Sequence, residues 1–529
     1  MPSKAQIIRH FFGGGWATDF GESADVSPDG TGKVLVPFLT EAQDCLFELD
    51  GGPHMIGGAT KVNSVVVASA AAVTGVFDYW RQGTAGTPAR RRILHAGTVC
   101  LADTDDGTYS TTLGSSLTSG AVPSYFTFDD LLIFCNDAQG ASDVPRSWDQ
   151  TTAQNLAGTP PNFAFGCAHK NRAWAAGAVA QPSRLYYSAN TDPEDWTGAG
   201  SGSIDIDPQD GDGITGLVSH KNDLFVFKGP NKGSIHRITG SSPTGSDAFA
   251  RIPFAAGIGA CWHNAIFRFG DDIGFVSQYG SVHSLSATAS YGDFFQAALS
   301  RPINRWINDH LNRNRLRFIT AATDAFRGLV LITMSIDAST TNNVCLAMDY
   351  RSAPDIIRWS RIPAYQSASL GTFVDTSGVR RILAGGNDGF VRRLNVADRS
   401  IDATTALSYR VTSPFLSYGN PFQMKTLSGM SVGIVPKGSA SITVGWTRDD
   451  NAQQSTTVSQ GGGVLLDDFQ LDDDYLGGSR YIERFLDLHE GDEARSFQFD
   501  FRQGVVNQDI EMHSFSAVLT PGAISMENS

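Results

Sequence analysis

Seven apolar runs punctuate the chain at a near-regular interval. They sit in "RRRILHAGT", "DDLLIFCND", "KNRAWAAG", "KNDLFVFKG", "DDIGFVSQYG", "FRGLVLITMS" and "VRRILAGGNDG", which start at residues 90, 129, 170, 221, 271, 326 and 379. Their spacings are 39, 41, 51, 50, 55 and 53 residues. Each has a polar start, a short apolar stretch and a turn, the pattern of a β-strand. Three continue into a further strand, "GSIHRI" (233–238), "GSVHSL" (280–285) and "GFVRRL" (389–394), so the repeating unit contains a hairpin. A strand-built unit that recurs every 40–50 residues or so marks a β-propeller with four strands per blade. A lone blade cannot bury both faces, whereas a ring of blades buries them and protects most edges. The expected fold is all-β, with a propeller of about seven blades over 67–398, the irregular register allowing six or eight. WD40 and kelch signatures are absent, and "SWDQ" at 147–150 is an isolated match.

Two segments depart from the strand pattern. In "DFFQAALSRPINRWINDHLNRNRLRF" (293–318), Ile303, Ile307 and Leu311 fall four apart with Trp306 beside them, one apolar helical face. Pro302 suits a first helical turn, so a short helical insertion between two blades is expected, either capping the ring or meeting a neighbouring subunit. After about residue 398 the period stops. Ile442, Val444 and Trp446 alternate, as do Phe497, Phe499 and Phe501, the mark of half-buried antiparallel strands. Residues 399–529 are expected to form a β-sandwich-like domain, and 1–66 an N-terminal extended segment. Within the C-terminal region, 455–478 is glycine-rich and then acidic, and reads as an exposed hairpin or loop.

Composition narrows the function classes. The 529 residues carry a net charge of −14, which argues against a protein that grips nucleic acid through phosphate neutralisation. No apolar run reaches the roughly 20 residues of a membrane span, and the N-terminus lacks the apolar core of a signal peptide. The six cysteines (45, 100, 135, 167, 261 and 345) form no C-x-x-C pair and read as buried reduced thiols.

Candidate chemistry is sparse. Zinc-protease, nucleophile-elbow and P-loop motifs are missing, and "GAGSGS" (198–203) precedes no helical pattern. His220, His236, His263 and His283 fall in or beside blade strands and read as hydrogen-bonded structural residues. No cofactor is expected. A carboxylate pair of the glycosidase kind is conceivable around a propeller axis, but no pair stands out among so many acids. The densest acidic stretch is "SIDIDPQDGDGITGL" (203–217), with Asp205, Asp207, Asp210 and Asp212 in eight positions. They are weak metal candidates: an EF-hand frame starting at Asp205 has Gln209 at its third ligand position, Asp210 where glycine belongs, and no closing glutamate. Ile204 and Ile206 alternate with Asp205 and Asp207, so the stretch reads better as a strand end, an acidic turn and the start of the next blade.

The segment 183–240 also resembles the central part of a family of phage tail proteins. The resemblance lies in Tyr187-Ser188, Pro193 and Trp196, Asp210-Gly211-Asp212, the Ile-Thr-Gly-Leu of 214–217, and Phe227-Lys228; "FELDGGPHMIGGATKVNS" (47–64) and the strand-rich C-terminus fit it too. It implies a virion structural protein, most like the tail nozzle or hub of short-tailed phages. It further implies a homo-oligomeric ring, a hexamer above other sizes, below a portal and adaptor, with attachment sites for fibres or spikes. Such a part is assembled in the host cytoplasm, passes phage DNA without binding it specifically, and brings no catalytic residues. An acidic lining suits that passage because it repels phosphates. The cluster Asp467, Asp468, Asp472, Asp473 and Asp474 is therefore expected at a lumen or subunit interface. The alternative is a receptor-binding or glycan-cleaving propeller.

Overall fold

The computed structural model describes residues 5–26, 33–82, 89–103, 107–138, 140, 142–291, 298–353, 355–375, 377–435, 441–460 and 482–524. The propeller expected from the repeat is present. Six blades are four-stranded, and a three-stranded sheet fills the remaining sector of the ring. In chain order the sectors are blade 1 (73–114), blade 2 (123–155), blade 3 (165–205), blade 4 (213–256), the three-stranded blade 5 (266–284), blade 6 (320–362) and blade 7 (369–396). The fourth strand of blade 7 is Gly58–Lys61, which pairs antiparallel with Val391–Val396 and closes the ring from the N-terminal side.

All seven apolar runs are second strands of their sheets: Ala89–Ala96, Leu131–Asn136, Arg172–Ala176, Asp223–Gly229, Asp272–Val276, Leu329–Met334 and Arg380–Gly385. A second strand has a neighbour on each side and a packed blade against each face, so both of its faces are apolar. Arg172–Ala176 and Leu329–Met334 are buried at every position. The turns before them are tight. Asp129-Asp130 and Lys170-Asn171 take positive φ at both residues, as two-residue hairpin turns that match strand twist require.

The core is divided among the clefts between blades. Phe126, Ile133 and Cys135 of blade 2 meet Phe163, Ala173 and Trp196 beside or in blade 3. Trp174 and Leu185 of blade 3 meet Leu217 and Val226 of blade 4. The largest cluster runs from blades 5–7 into the C-terminal domain.

That domain is the expected sandwich. One sheet runs in the order Lys33–Val36, Gln6–Phe12, Glu511–Ile524, Gln423–Val435, Ile482–Ala494. The other contains Gln453–Ser459, Ser441–Arg448, Phe497–Gln503 and Tyr409–Thr412. Ile442, Val444, Trp446, Phe497, Phe499 and Phe501 are buried between the sheets, and Phe515 packs 5.0 Å from Phe499 and 5.2 Å from Phe501.

The N-terminal 66 residues are woven into both units. Gln6–Phe12 pairs with the C-terminal strand, and Glu41–Gln43 bridges Arg358–Ile362 of blade 6 to Tyr409–Thr412, so one sheet continues from propeller into sandwich. His10 is buried in this join: Tyr418 Oη lies 2.8 Å from its Nε2, and its ring stacks on Phe515 at 4.2 Å.

The helical insertion lies between blades 5 and 6, with short helices Leu285–Tyr291 and Asn304–His310 and 3-10 turns at Arg301–Ile303 and Arg313–Phe318. Ile303, Ile307, Leu311 and Trp306 are buried, as their spacing implies. The insertion holds the N-terminal arm: Trp306 meets Trp16 edge-on at 5.0 Å, and Asp19 accepts the Arg305 amide at 2.8 Å.

Candidate functional site: an axial cavity and an acidic blade junction

The first strands of blades 1, 2, 6 and 7, with the first strand and preceding turn of blade 5, surround an axial cavity of about 460 Å³. One end is crossed by side chains. Arg317, in the last 3-10 turn of the insertion, forms an ion pair with Asp137 of blade 2, and Asn264 donates to the Pro123 carbonyl at 3.1 Å. At the other end lie Asp78, Trp80, Arg268 and Arg380. Much of the polar lining ties blades together. Ser369 Oγ donates to the Val73 carbonyl at 2.7 Å, Thr320 Oγ1 accepts the Leu370 amide at 3.3 Å, and Thr323 Oγ1 donates to the Arg268 carbonyl at 2.6 Å. Among the described lining residues Asp78 is the single carboxylate, and Arg90 holds it at 2.7 and 3.0 Å. Glycoside hydrolysis uses a pair of carboxyl groups, and the described residues lining this cavity supply one.

The four aspartates of 205–212 lie together at the junction of blades 3 and 4 but each faces a different partner. Asp205 receives a bidentate contact from Arg184 at 2.7 and 3.0 Å, which holds its carboxyl below the usual range. Asp207 is paired with Arg251, which likewise keeps its carboxyl low, and lies 3.4 Å from His236 Nε2. Asp212, almost wholly buried, accepts the amides of Asn231, Lys232 and Gly233 at 2.7, 2.9 and 2.8 Å. Asp210 accepts Lys228 Nζ at 2.8 Å; burial pushes its carboxyl up, and the Lys228 and Asp212 contacts outweigh that and hold it low. No group of three or more His, Cys, Asp or Glu suited to a metal ion occurs among the described residues.

Lys228 is the residue that explains the cluster. Its side chain is fully buried, and its ammonium donates to the carbonyls of Ile206 at 2.7 Å and Asp207 at 2.8 Å as well as to Asp210. The ammonium thus occupies the centre that the acidic loop would otherwise offer to a cation. Its sequence signal is a lysine inside a continuously apolar strand, "LFVFKG", eleven residues after the last residue of the Ile-Thr-Gly-Leu that follows the acidic turn. A buried charge is costly unless paired, so such a lysine requires a partner nearby. Thr215 Oγ1 donates to the carbonyl of Ala260, in the segment between blades 4 and 5, at 2.7 Å.

The other singled-out residues also have structural partners. His236 and His283 lie 3.0 and 2.8 Å from the hydroxyls of Ser234 and Ser281, and His263 stacks on Phe165 at 5.0 Å. His220 packs 6.3 Å from the Phe225 ring. Burial pushes His263 and His283 down to about 4. Tyr187 is buried, Ser188 Oγ accepts the Ala173 amide at 3.1 Å, and Trp196 packs on Phe163 at 5.5 Å. All six cysteines are free; Cys167 is half-buried and the others are buried. The acidic cluster Asp467, Asp468, Asp472, Asp473 and Asp474 lies outside the described residues.

No known family model matches the sequence, and no curated protein matches it. Solved structures that match the chain include YCF48 bound to D1 peptide, at 10% identity and TM-score 0.39, covering 64% of this chain and 98% of that one. Raptor from Chaetomium thermophilum matches at 12% identity and TM-score 0.39, covering 65% of this chain and 28% of that one. An exo-beta-1,3-galactanase from Phanerochaete chrysosporium matches at 8% identity and TM-score 0.27, covering 88% of this chain and 100% of that one.

Proposed function

We propose that the chain is a structural subunit of a phage tail, a nozzle or hub component that assembles into a closed ring, with the hexamer favoured. The observation that carries the reading is the outer face of the first sandwich sheet. Register puts Ile7, Arg9, Phe11, Leu35 and Phe485 on the side away from the core. Ile7, Leu35 and Phe485 are 67%, 63% and 78% exposed, and between them Ser514, Ser516, Ser431 and Gly433 form a low floor crossed by the Arg9–Glu483 ion pair at 2.9 Å. Large apolar side chains gathered on one sheet face suit a subunit contact. The strand-continuous join between propeller and sandwich suits a load-bearing part, and the tail-protein resemblance of 183–240 supports the same reading. The axial cavity has the size of a small-ligand site, so a DNA passage belongs to the axis of the ring of chains rather than to one propeller. A net charge of −14 favours passage of DNA over its retention.

Electron microscopy of the purified chain tests this. Closed rings with an open axis are expected, as is docking onto portal and adaptor proteins. A chain that stays monomeric or trimeric and binds or cleaves host polysaccharide overturns the reading in favour of a receptor-binding or glycan-cleaving propeller.

A further inference from the structure

A second cavity, of about 520 Å³, lies where blades 6 and 7 meet the N-terminal strands Cys45–Phe47 and Pro53–Met55. Five of its described lining residues are arginines. Arg327 and Arg351 flank the second and third strands of blade 6, Arg381 and Arg393 lie on the second and third strands of blade 7, and Arg399 follows that blade. Their side chains are between 19% and 38% exposed, so all five keep accessible surface. A chain of net charge −14 thus gathers five cations around one cavity.

Three of the counter-charges sit behind the wall. Arg327 gives one side-chain nitrogen to Asp324 at 3.4 Å, Arg381 one to Asp375 at 3.0 Å and Arg399 one to Asp509 at 2.8 Å, while Arg393 lies 3.6 Å from Asp375. These carboxylates are largely buried and are not among the described lining residues. A guanidinium carries five N–H donors in a planar fork, so one contact anchors it and leaves donors for a ligand. The described wall holds two carboxylates, Glu48 and Asp349. Arg351 grips Asp349 at 3.1 and 2.7 Å, and His54 Nδ1 lies 3.4 Å from Glu48, so both have partners within the wall.

We infer that this cavity is a binding site for a multivalent phosphate, a small molecule carrying at least two linked phosphoryl groups, with the five arginines as its donors. The site is independent of the ring reading. Guanidinium forks match phosphate oxygens in pairs, and a tetrahedral oxyanion accepts them from several sides, whereas a carboxylate accepts them mainly in its own plane. The volume is that of a small-ligand site. A smaller cavity beside it shares Arg393 and adds Lys61, so the basic wall continues around blade 7 and leaves room for a further charged group.

The test titrates inorganic pyrophosphate into the full chain by calorimetry in metal-free buffer. Saturable binding is expected, and citrate, a tricarboxylate, should bind about tenfold more weakly or not at all. Arg393→Gln removes the most exposed of the five guanidinium groups and should weaken pyrophosphate binding about tenfold or more while the chain stays folded by circular dichroism. Arg237→Gln, on blade 4, removes an arginine of matching exposure whose ion pair with Asp223 spans 3.5 Å, and should leave binding unchanged. The comparison of pyrophosphate with citrate on the wild-type chain decides the matter if Arg393→Gln does not fold. Absence of saturable pyrophosphate binding, equal binding of citrate, or equal effects of the two substitutions overturns the inference.

Discussion

Lys228→Met is the sharpest probe of the blade 3–4 junction. The substitution keeps an unbranched stem in a site where the lysine side chain is 0% exposed, so lost volume contributes little. What disappears is the ammonium and its three contacts at 2.7–2.8 Å. The Ile206 and Asp207 carbonyls lose a charge-assisted donor, and the Asp210 carboxylate loses its counter-ion. Stranding a buried polar group costs roughly 1–3 kcal/mol, and breaking one side of a buried ion pair roughly 3–5 kcal/mol. Asp210 is 28% exposed and can turn towards water, which trims the second figure. The expected loss is therefore about 3–4 kcal/mol. Urea unfolding measures it, and hydrogen exchange over 203–240 locates it, which matters in a chain with two packed units. The double variant Lys228→Met/Asp210→Asn should cost less than the sum of its singles by about 1 kcal/mol or more, because the two changes remove one shared interaction. A loss under about 1 kcal/mol, or strict additivity, refutes the view that this ammonium organises the acidic turn.

Because that ammonium fills the centre of the loop, millimolar calcium should leave the thermal midpoint unchanged, whereas a calcium-dependent rise would mark a metal site instead. Phe485→Asp, at a 78% exposed position on the outer sandwich face, should dissolve rings seen by electron microscopy while leaving the fold intact by circular dichroism. Gly259→Ala places a Cβ 1.9 Å from the Lys228 carbonyl oxygen, so the backbone must shift; a loss of roughly 2–3 kcal/mol in urea unfolding is expected. Burial lowers His95, His169, His263 and His283 to about 4, and His10 to about 3, from 6.5. The unfolded chain then binds more protons than the native one between those values, so stability is complete above about pH 6.5 and falls as pH drops towards 4. A thermal midpoint flat from pH 8 to pH 4 contradicts this; Asp44, raised to about 6, titrates with the opposite sign and offsets part of the fall.

The propeller was legible because of where its second strands sit. Each is covered on both faces and both edges, so its sequence is apolar without alternation and stands out every 40–50 residues or so. The first strands were not legible. Thr320–Asp324 faces the axial cavity, and its "TAATD" carries too little apolar signal to be separated from a loop. Ring closure was hidden for another reason: Gly58–Lys61 pairs with residues more than 300 positions later, and periodicity says nothing about contacts of that range. The weave of Gln6–Phe12 into the C-terminal sheet is hidden in the same way.

The acidic stretch shows how far local reading of a site can go. Four aspartates in eight positions raise the question of a cation, and the spacing alone argues against calcium. The answer needed a residue outside the stretch, since the chain supplies its own cation from the facing strand and Lys228 reaches back to 206–210. At the junction every carboxylate has an internal partner, which is what a joint that must not depend on solutes requires.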